Sequence, residues 1–465
     1  MRLIQLTGAS EYDVIVVGGG NAGLCAALTA VENVERVLLL ERAPFEFRGG
    51  NSKYTRDIRY AHEKDTFTTG PYSEEEFLND ILKVTHQETN IELARLVVRE
   101  SRNVPEWMKR RGIKWQRPLR GTLHLGRTNL FFLGGGKALV NVYYETARKR
   151  GLQVAYNAMV EDLIVEDGQC VGVIANIEGR RLELRSRSVI LTAGGFESNL
   201  SWLKEYWGDA VDQFVIRGTK FNDGRLLRCA LEKGAASIGD PKGAHMIAVD
   251  ARSPKYDGGI VTRVDSIPLG IVVNGSGKRF YDEGEDEWSK RYAIWGRLIA
   301  EQPNQIAYSI FDSKARGKFI PAMYEPYSAN SIEQLADILK LNPSTLAATV
   351  KEFNNAISGR GKFDLASLDD CSTNGLTPPK SHWALPIDTS PFFSYVLRPG
   401  VTFTYMGLSS DQRARVIRRD GTPLKNLYAA GEIMSGNILS RGYLGGFGLT
   451  IGTVFGRIAG EEATR

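Results

Sequence analysis

Cysteine and histidine are scarce in this chain: four cysteines (Cys25, Cys170, Cys229, Cys371) and five histidines among 465 residues. The cysteines stand far apart, without a C-x-x-C pair, a C-x-x-C-H haem-attachment motif or a histidine at ligand spacing. That pattern excludes a disulfide framework, a haem and an iron–sulfur cluster, and with so few histidines no metal site is expected. Four buried small hydrophobes in a reduced, cytoplasmic protein are predicted instead. No apolar run approaches the roughly 18 residues that span a bilayer, and the first residues lack a positive-then-apolar signal pattern. Neither sign of charge dominates: 59 Lys and Arg face 54 Asp and Glu, a net +5. This is too mild for a nucleic-acid partner but leaves room for a basic pocket suited to an acidic substrate. With 42% hydrophobic and 24% charged residues the composition is globular, and the length suggests two or three domains.

Glycine is plentiful, at 49 residues, and it falls in short clusters. The first cluster is the most informative. Asp13-Val-Ile-Val-Val17 reads as a buried strand, Gly18-Gly-Gly20-Asn-Ala-Gly23 follows it, and Leu24 to Ala30 has helical composition. Arg36-Val-Leu-Leu-Leu40 is a second strand ending at Glu41, 18 residues past Gly23. Strand, glycine turn, helix, strand and acid form a dinucleotide-binding βαβ unit. Gly18 permits the tight turn, Gly20 lets backbone approach a pyrophosphate, and Gly23 lets helix pack on strand. The helix N-terminus offers N–H groups to the phosphates, and Glu41 would accept hydrogen bonds from a ribose.

Later glycine turns favour FAD over NAD. Arg48-Gly-Gly-Asn-Ser52 is a second turn along an extended cofactor. Ser188-Val-Ile-Leu-Thr-Ala-Gly-Gly195 and Leu427-Tyr-Ala-Ala-Gly-Glu432 are strands that run into glycines far along the chain. They imply one sheet built from both chain ends: an α/β, Rossmann-like FAD-binding domain with an inserted α+β cap. The expected boundaries are 1–239 and 361–465 for the FAD-binding parts and 240–360 for the cap. Helices are predicted over 74–85, 90–110, 331–341 and 343–358, and strands over 154–164, 170–177, 181–184 and 270–273. The polar stretch 360–383 reads as the loosest segment.

These landmarks resemble the flavoprotein subunits of the fumarate reductase and succinate dehydrogenase family. The resemblance extends to Gly277-Lys-Arg-Phe280 and to Gly445-Gly…Gly452-Thr-Val-Phe-Gly-Arg-Ile-Ala-Gly460. Within that family, Arg42-Ala-Pro, Gly121-Thr-Leu-His-Leu-Gly-Arg-Thr-Asn129 and Phe132-Leu-Gly-Gly-Gly-Lys-Ala-Leu-Val-Asn141 look like the FAD-dependent tricarballylate dehydrogenases. Cobalamin-pathway flavoproteins share much of the pattern. The resemblance implies interconversion of a CH–CH unit beside carboxylates with its alkene, for tricarballylate giving cis-aconitate. Hydride passes to flavin N5 and a proton moves on the opposite face. Such chemistry needs a rigid basic cage, for which bidentate Arg is well suited. The implied cofactor contacts, besides Gly18, Gly20, Gly23 and Glu41, are Asn21, Ala22, Arg42, Gly50, Asn51, Ser52, Ala193, Gly194, Asp223, Gly431, Glu432, Gly446 and Leu449. Asn51 stands where membrane-bound members carry a flavin-linking His, so FAD is expected to be non-covalent.

For the substrate, the resemblance assigns a carboxylate clamp to Arg441, substrate binding to His245 and Thr262, and proton transfer to Arg291. A second family His is replaced by Thr404 and Tyr405, and Arg263 stands where the family has Glu. The site thus loses a His and gains a cation, which suits three carboxylates. His124 is a further candidate for the same pocket. A 3-ketosteroid dehydrogenase is the alternative enzyme reading, with Tyr405 as its telling residue. An electron-transfer flavoprotein without substrate chemistry is a third. Lacking haem and iron–sulfur motifs, the chain must pass electrons to an external acceptor. The resemblance implies a membrane iron–sulfur protein, which would hold the enzyme peripherally at the membrane.

Overall fold

The computed structural model describes residues 11–63, 65–118, 124–256, 262–358 and 361–465. Its first strand, Glu11–Val17, is a β-branched run with Val14, Ile15 and Val16 wholly buried. It lies at the centre of an eight-stranded sheet, parallel to Val37–Leu40 on one side and to Arg180–Leu191 on the other. Near-continuous apolar character is what a parallel strand covered on both faces requires. Pro423–Ala429, from the far end of the chain, joins Arg180–Leu191 in parallel, Leu427 opposite Val189. One sheet is therefore built from both ends of the chain, as expected. The strands predicted at 181–184 and 188–191 are one continuous strand, paired antiparallel to Gln169–Ile177 over its first half.

The helix Asn21–Ala30 is buried at every residue and packs against the C-terminal helix Phe447–Glu462. Gly456 and Gly460 make the close approach possible. A Cβ on Gly456 would lie 2.5 Å from the Ala22 carbonyl oxygen, and one on Gly460 would lie 2.4 Å from that of Ala26. The helix predicted over 90–110 is two helices, Ile91–Ser101 and Val104–Arg110. The break falls just before Pro105, which sits in the first turn of the second helix, where its missing N–H costs nothing.

The second sheet has six strands, with the thirteen-residue strand Phe392–Thr404 at its centre. Ala244–Asp250, Ala307–Asp312 and Tyr327–Ala329 pair with it antiparallel, Val215–Ile216 pairs parallel, and Ile271–Asn274 joins beyond Ala307–Asp312. The sheet thus draws strands from either side of the segment 240–360. The stretch read as loosest has neither strand nor helix over 361–383 but is firmly anchored. The buried Lys380 ammonium donates to the carbonyls of Pro268 at 2.8 Å and Gly270 at 2.6 Å. The four cysteines are free and buried, and among the described residues no helix is long and apolar enough to cross a membrane.

Candidate functional site

A single long cleft follows the carboxyl ends of the parallel strands. Glu41, Arg42, Met159 and Val160 line one end; Gly18 to Ala22, Gly50 to Ser52, Ala193 and Gly194 line the middle. The other end is lined by Arg56, Arg217, His245, Arg263, Tyr292 and Tyr443, with Gly446 and Leu449 from the start of the C-terminal helix. This is the crevice outside the strand ends where open α/β sheets bind dinucleotides.

The outer and middle parts fit FAD. Gly18 holds φ +110°, and a Cβ there would meet the Thr192 carbonyl oxygen at 2.4 Å, so only glycine makes the turn. Gly20 is the N-cap of Asn21–Ala30 and brings no side chain of its own to cap the helix. A Cβ on Gly20 would stand in ordinary contact with Ser52 Oγ at 3.5 Å and the Gly49 carbonyl oxygen at 3.7 Å, so the bare glycine leaves a shallow cradle facing the cleft. Gly23 does not line the cleft; its close contact is with the Gly18 carbonyl. The Asn21 N–H donates to Ser52 Oγ at 2.9 Å, joining the two glycine turns. Glu41 accepts from the N–H groups of Ala43 at 2.8 Å and Gly49 at 3.1 Å, and burial raises its pKa. Arg42 pairs with Asp223 at 2.7 Å. All the expected cofactor contacts except Gly23 line the cleft.

A buried carboxylate pair that the sequence reading half found lies at the cleft, Glu432 on its wall and Glu197 behind it. Asn51 Nδ2 donates to Glu197 Oε1 at 2.7 Å and to the Thr402 carbonyl at 2.8 Å, while Asn51 Oδ1 accepts from the Thr219 N–H. Glu197 Oε1 also accepts from Asn222, and Glu432 accepts from the Thr404 N–H at 2.8 Å. A Cβ on Gly195 would lie 2.3 Å from Glu432 Oε1 and 2.9 Å from Glu197 Oε2, so the two carboxyls flank one point. Among the described residues Glu197 Oε2 has no hydrogen-bond donor, the gap that a proton held by Glu432 fills. Burial, and then the Glu197 charge, hold Glu432 well above the carboxylate range; burial raises Glu197 to about 7.

The inner end gathers cations. Arg56, Arg217 and Arg263 come from three separate segments, and all three act electrostatically on the Tyr292 phenol. Arg263 pairs with Asp265 at 2.8 Å and Arg56 with Asp57 at 3.5 Å. Burial and the neighbouring Arg263 lower the Arg56 pKa. Arg56 Nη2 and His245 Nε2 are buried and lack hydrogen-bond partners among the described residues. Burial, with Arg217 and Arg263 nearby, holds His245 well below the ordinary histidine value, so it is neutral. Asn129 Nδ2 and Arg59 Nε donate to the Gly445 carbonyl at 2.8 and 3.0 Å, fixing the loop that carries Tyr443 and Gly446.

Of the expected substrate residues, His245 lines this end. Arg441 does not: its side chain is 53% exposed and forms a surface pair with Glu88 at 3.0 Å. Arg291 pairs with Glu285 at 2.9 Å and points away from the cleft, whereas the next residue, Tyr292, lines it. Helix Trp288–Arg291 ends there and a tighter turn begins, so successive side chains face opposite ways. Tyr405 is buried and donates to the Gly442 carbonyl at 3.0 Å, Thr404 is bound to Glu432, and neither lines the cleft; their neighbours Thr402 and Phe403 do. Thr262 is buried and His124 half-buried, both outside the lining, His124 beside Trp383. Residues 121–123 of the motif containing His124 lie outside the described residues. Arg56, Arg217, Tyr292, Tyr443 and Glu197 were missed. For Tyr443 and Tyr292 the signal was present one or two positions from residues that were singled out.

The sequence model of the FAD binding domain family matches residues 13–449. The chain is 28% identical to an NADH:fumarate oxidoreductase of Klebsiella pneumoniae over 98% of its own length and 48% of that protein. It is 26% identical to a probable fumarate reductase of Shewanella frigidimarina, over 98% of its length and 76% of the relative. It thus spans about half of the first relative and three quarters of the second. Among solved structures it superposes on the 3-ketosteroid-Δ4-(5α)-dehydrogenase of Rhodococcus jostii RHA1 with a TM-score of 0.77 at 22% identity, covering 99% of this chain and 98% of that one.

Proposed function

The chain belongs to the FAD-binding family of fumarate reductase and succinate dehydrogenase flavoproteins, and from that premise we propose that it dehydrogenates a CH–CH unit of a small polycarboxylate, tricarballylate to cis-aconitate. The supporting observation is the inner end of the cleft, where the half-buried Arg56 and the buried Arg217 and Arg263 stand around one space. Three guanidinium groups can meet three carboxylates, Arg56 and Arg263 through the N–H groups that their pairs with Asp57 and Asp265 leave over. Arg56 Nη2 and His245 Nε2 are donors in want of acceptors, which a polyanion supplies; the neutral His245 donates only in the tautomer with its proton on Nε2.

FAD, when bound, supplies the two-electron acceptor; Gly18, Gly20, Asn21, Glu41, Asn51 and Gly446 would hold it. The arginines fix the carboxylates, and with them the substrate carbon chain, against the cofactor. Fixing both partners of a reaction is worth a large part of its barrier. His245 and Tyr443 close the cavity wall and keep water out. Electrons leave, in this reading, to an acceptor outside the chain; a membrane iron–sulfur protein is the acceptor we propose.

Anaerobic mixing with tricarballylate, succinate and a 3-ketosteroid tests the reading. Tricarballylate should bleach the flavin absorbance fastest. Bleaching by the steroid alone would move the protein to the ketosteroid reading, for which the cleft-lining phenols of Tyr292 and Tyr443 and the Phe403 ring speak. Bleaching by none, with rapid exchange of electrons with a reduced carrier, would make it an electron-transfer protein.

A further inference from the structure

We propose that Tyr292 carries the proton of this reaction, taking it from the carbon beside a carboxylate that Arg56, Arg217 and Arg263 hold. The inference rests on the polycarboxylate reading above. It starts from a count of the titratable groups at the inner end of the cleft. The arginines are effectively always protonated, and Arg263 is further tied to Asp265; the Asp57 carboxylate, which also lines the cleft, is held by Arg56 at 3.5 Å and by Asn129 Nδ2 at 2.8 Å. His245 is neutral between Arg217 and Arg263, where a proton would be repelled. The Tyr443 hydroxyl accepts the Gly448 N–H at 2.8 Å. Glu432 is bound by Thr404 and shares its proton with Glu197. Tyr292 lines the cavity, and the Arg263 guanidinium sits over its ring, 4.5 Å from the centroid.

The chemistry balances with FAD as oxidant. The C–H bond beside the carboxylate breaks, its electron pair becomes the new C=C π bond, and its proton goes to the Tyr292 phenolate oxygen. The C–H bond of the neighbouring carbon breaks in the other sense, and its hydrogen leaves with both electrons to the bound FAD. In the reverse direction the neutral phenol returns the proton. Burial, joined by the Asp57 carboxylate, opposes the phenolate more strongly than Arg263, Arg217 and Arg56 favour it, and raises the phenol to about 12. Oxidation should therefore accelerate through the alkaline range. The charged and titratable groups facing this phenol are Arg56 and Asp57, Arg217, His245, Arg263 with Asp265, and the phenols of Tyr405 and Tyr443.

The test uses three FAD-loaded proteins: wild type, Tyr292→Phe, and protein with 3,5-difluorotyrosine installed at position 292, which keeps the shape and lowers the phenol pKa. Flavin reduction by tricarballylate is followed by stopped flow from about pH 6 to about pH 10. Perturbation of the flavin spectrum before reduction reports binding. Tyr292→Phe should keep that perturbation and lose about 10²- to 10⁴-fold in reduction rate, the range for general acid–base groups. The fluorinated protein should show its alkaline rise at lower pH, and its fluorine resonance should shift when tricarballylate binds. A normal rate in Tyr292→Phe, or an unmoved pH profile in the fluorinated protein, would overturn the role of Tyr292 alone. Wild-type flavin that no polycarboxylate bleaches would overturn the polycarboxylate reading and this role with it.

Discussion

The imidazole of His245 lies flat on the phenol ring of Tyr443, with 4.1 Å between centroids and 6° between planes. One ring comes from the second strand system and the other from the loop before the C-terminal helix. The two sheets therefore meet at the inner end of the cleft. His245→Phe keeps the stack and removes the unpartnered Nε2. Its KM for tricarballylate should rise about 10-fold or more, as expected for losing a hydrogen bond to a charged group, with FAD content unchanged. Because His245 is already neutral, the wild-type pH profile should lack an inflection near 6.5. An unchanged KM would remove His245 from the site.

The arginine cage separates from the surface arginine. Arg263→Lys and Arg56→Lys keep a charge but lose the planar fork. Each should weaken tricarballylate turnover by about 1.5–3 kcal/mol, roughly 10- to 150-fold. Arg441→Lys alters only an exposed pair with Glu88, a kind of contact that contributes little. It should turn over like wild type. Steady-state kinetics on the three variants decide between the two sets.

For the cofactor, Gly20→Val would fill the cradle beside Ser52 Oγ and should yield colourless, folded protein. Wild-type protein should be yellow and release its flavin to the supernatant on acid or heat treatment. Asn51 is bonded to Glu197, Thr402 and Thr219 and supplies no linking group. Flavin remaining with the precipitate would refute non-covalent binding.

The Glu197–Glu432 pair makes stability depend on pH. A carboxyl whose pKa rises on folding binds its proton more tightly in the native state, so stability is highest below the unfolded value of about 4.3. It then declines as pH rises toward the folded value, about 7 for Glu197. Glu197→Gln removes the Glu197 share of that decline, while the buried Glu432 keeps its own. With FAD saturating, calorimetry should show the variant gaining melting temperature relative to wild type across this window. Parallel curves would show that the pair does not titrate there.

The helix pair at the core is intolerant of bulk. Gly456→Val would drive a side chain into the backbone of Ala22, and overpacking of this kind costs about 1–3 kcal/mol. Denaturant unfolding should show the loss, and FAD affinity should fall with it, because the displaced helix carries Asn21 and Ala22. Wild-type stability would mean that the helices can move apart.

The cofactor half of the cleft was legible in the sequence because its determinants are local. Gly18, Gly20, Glu41, Asn51 and Gly446 act through backbone turns and strand ends, and a turn is specified by the few residues that form it. Parallel strands covered on both faces likewise announce themselves as short apolar runs, so the sheet shared by the two chain ends followed from composition and order. The substrate half was decided by tertiary structure. Arg56, Arg217 and Arg263 come from segments some fifty to two hundred residues apart, and nothing in any one of them marks it as a wall of the same cavity. Which of two adjacent residues faces that cavity turns on the local screw of the chain. Arg291, paired with Glu285, is the immediate neighbour of Tyr292 on the cleft wall, and a single residue stands between the exposed Arg441 and the buried Tyr443. Motif spacing reaches the right loop, but only the packing of that loop against Arg263 and His245 selects the side chain.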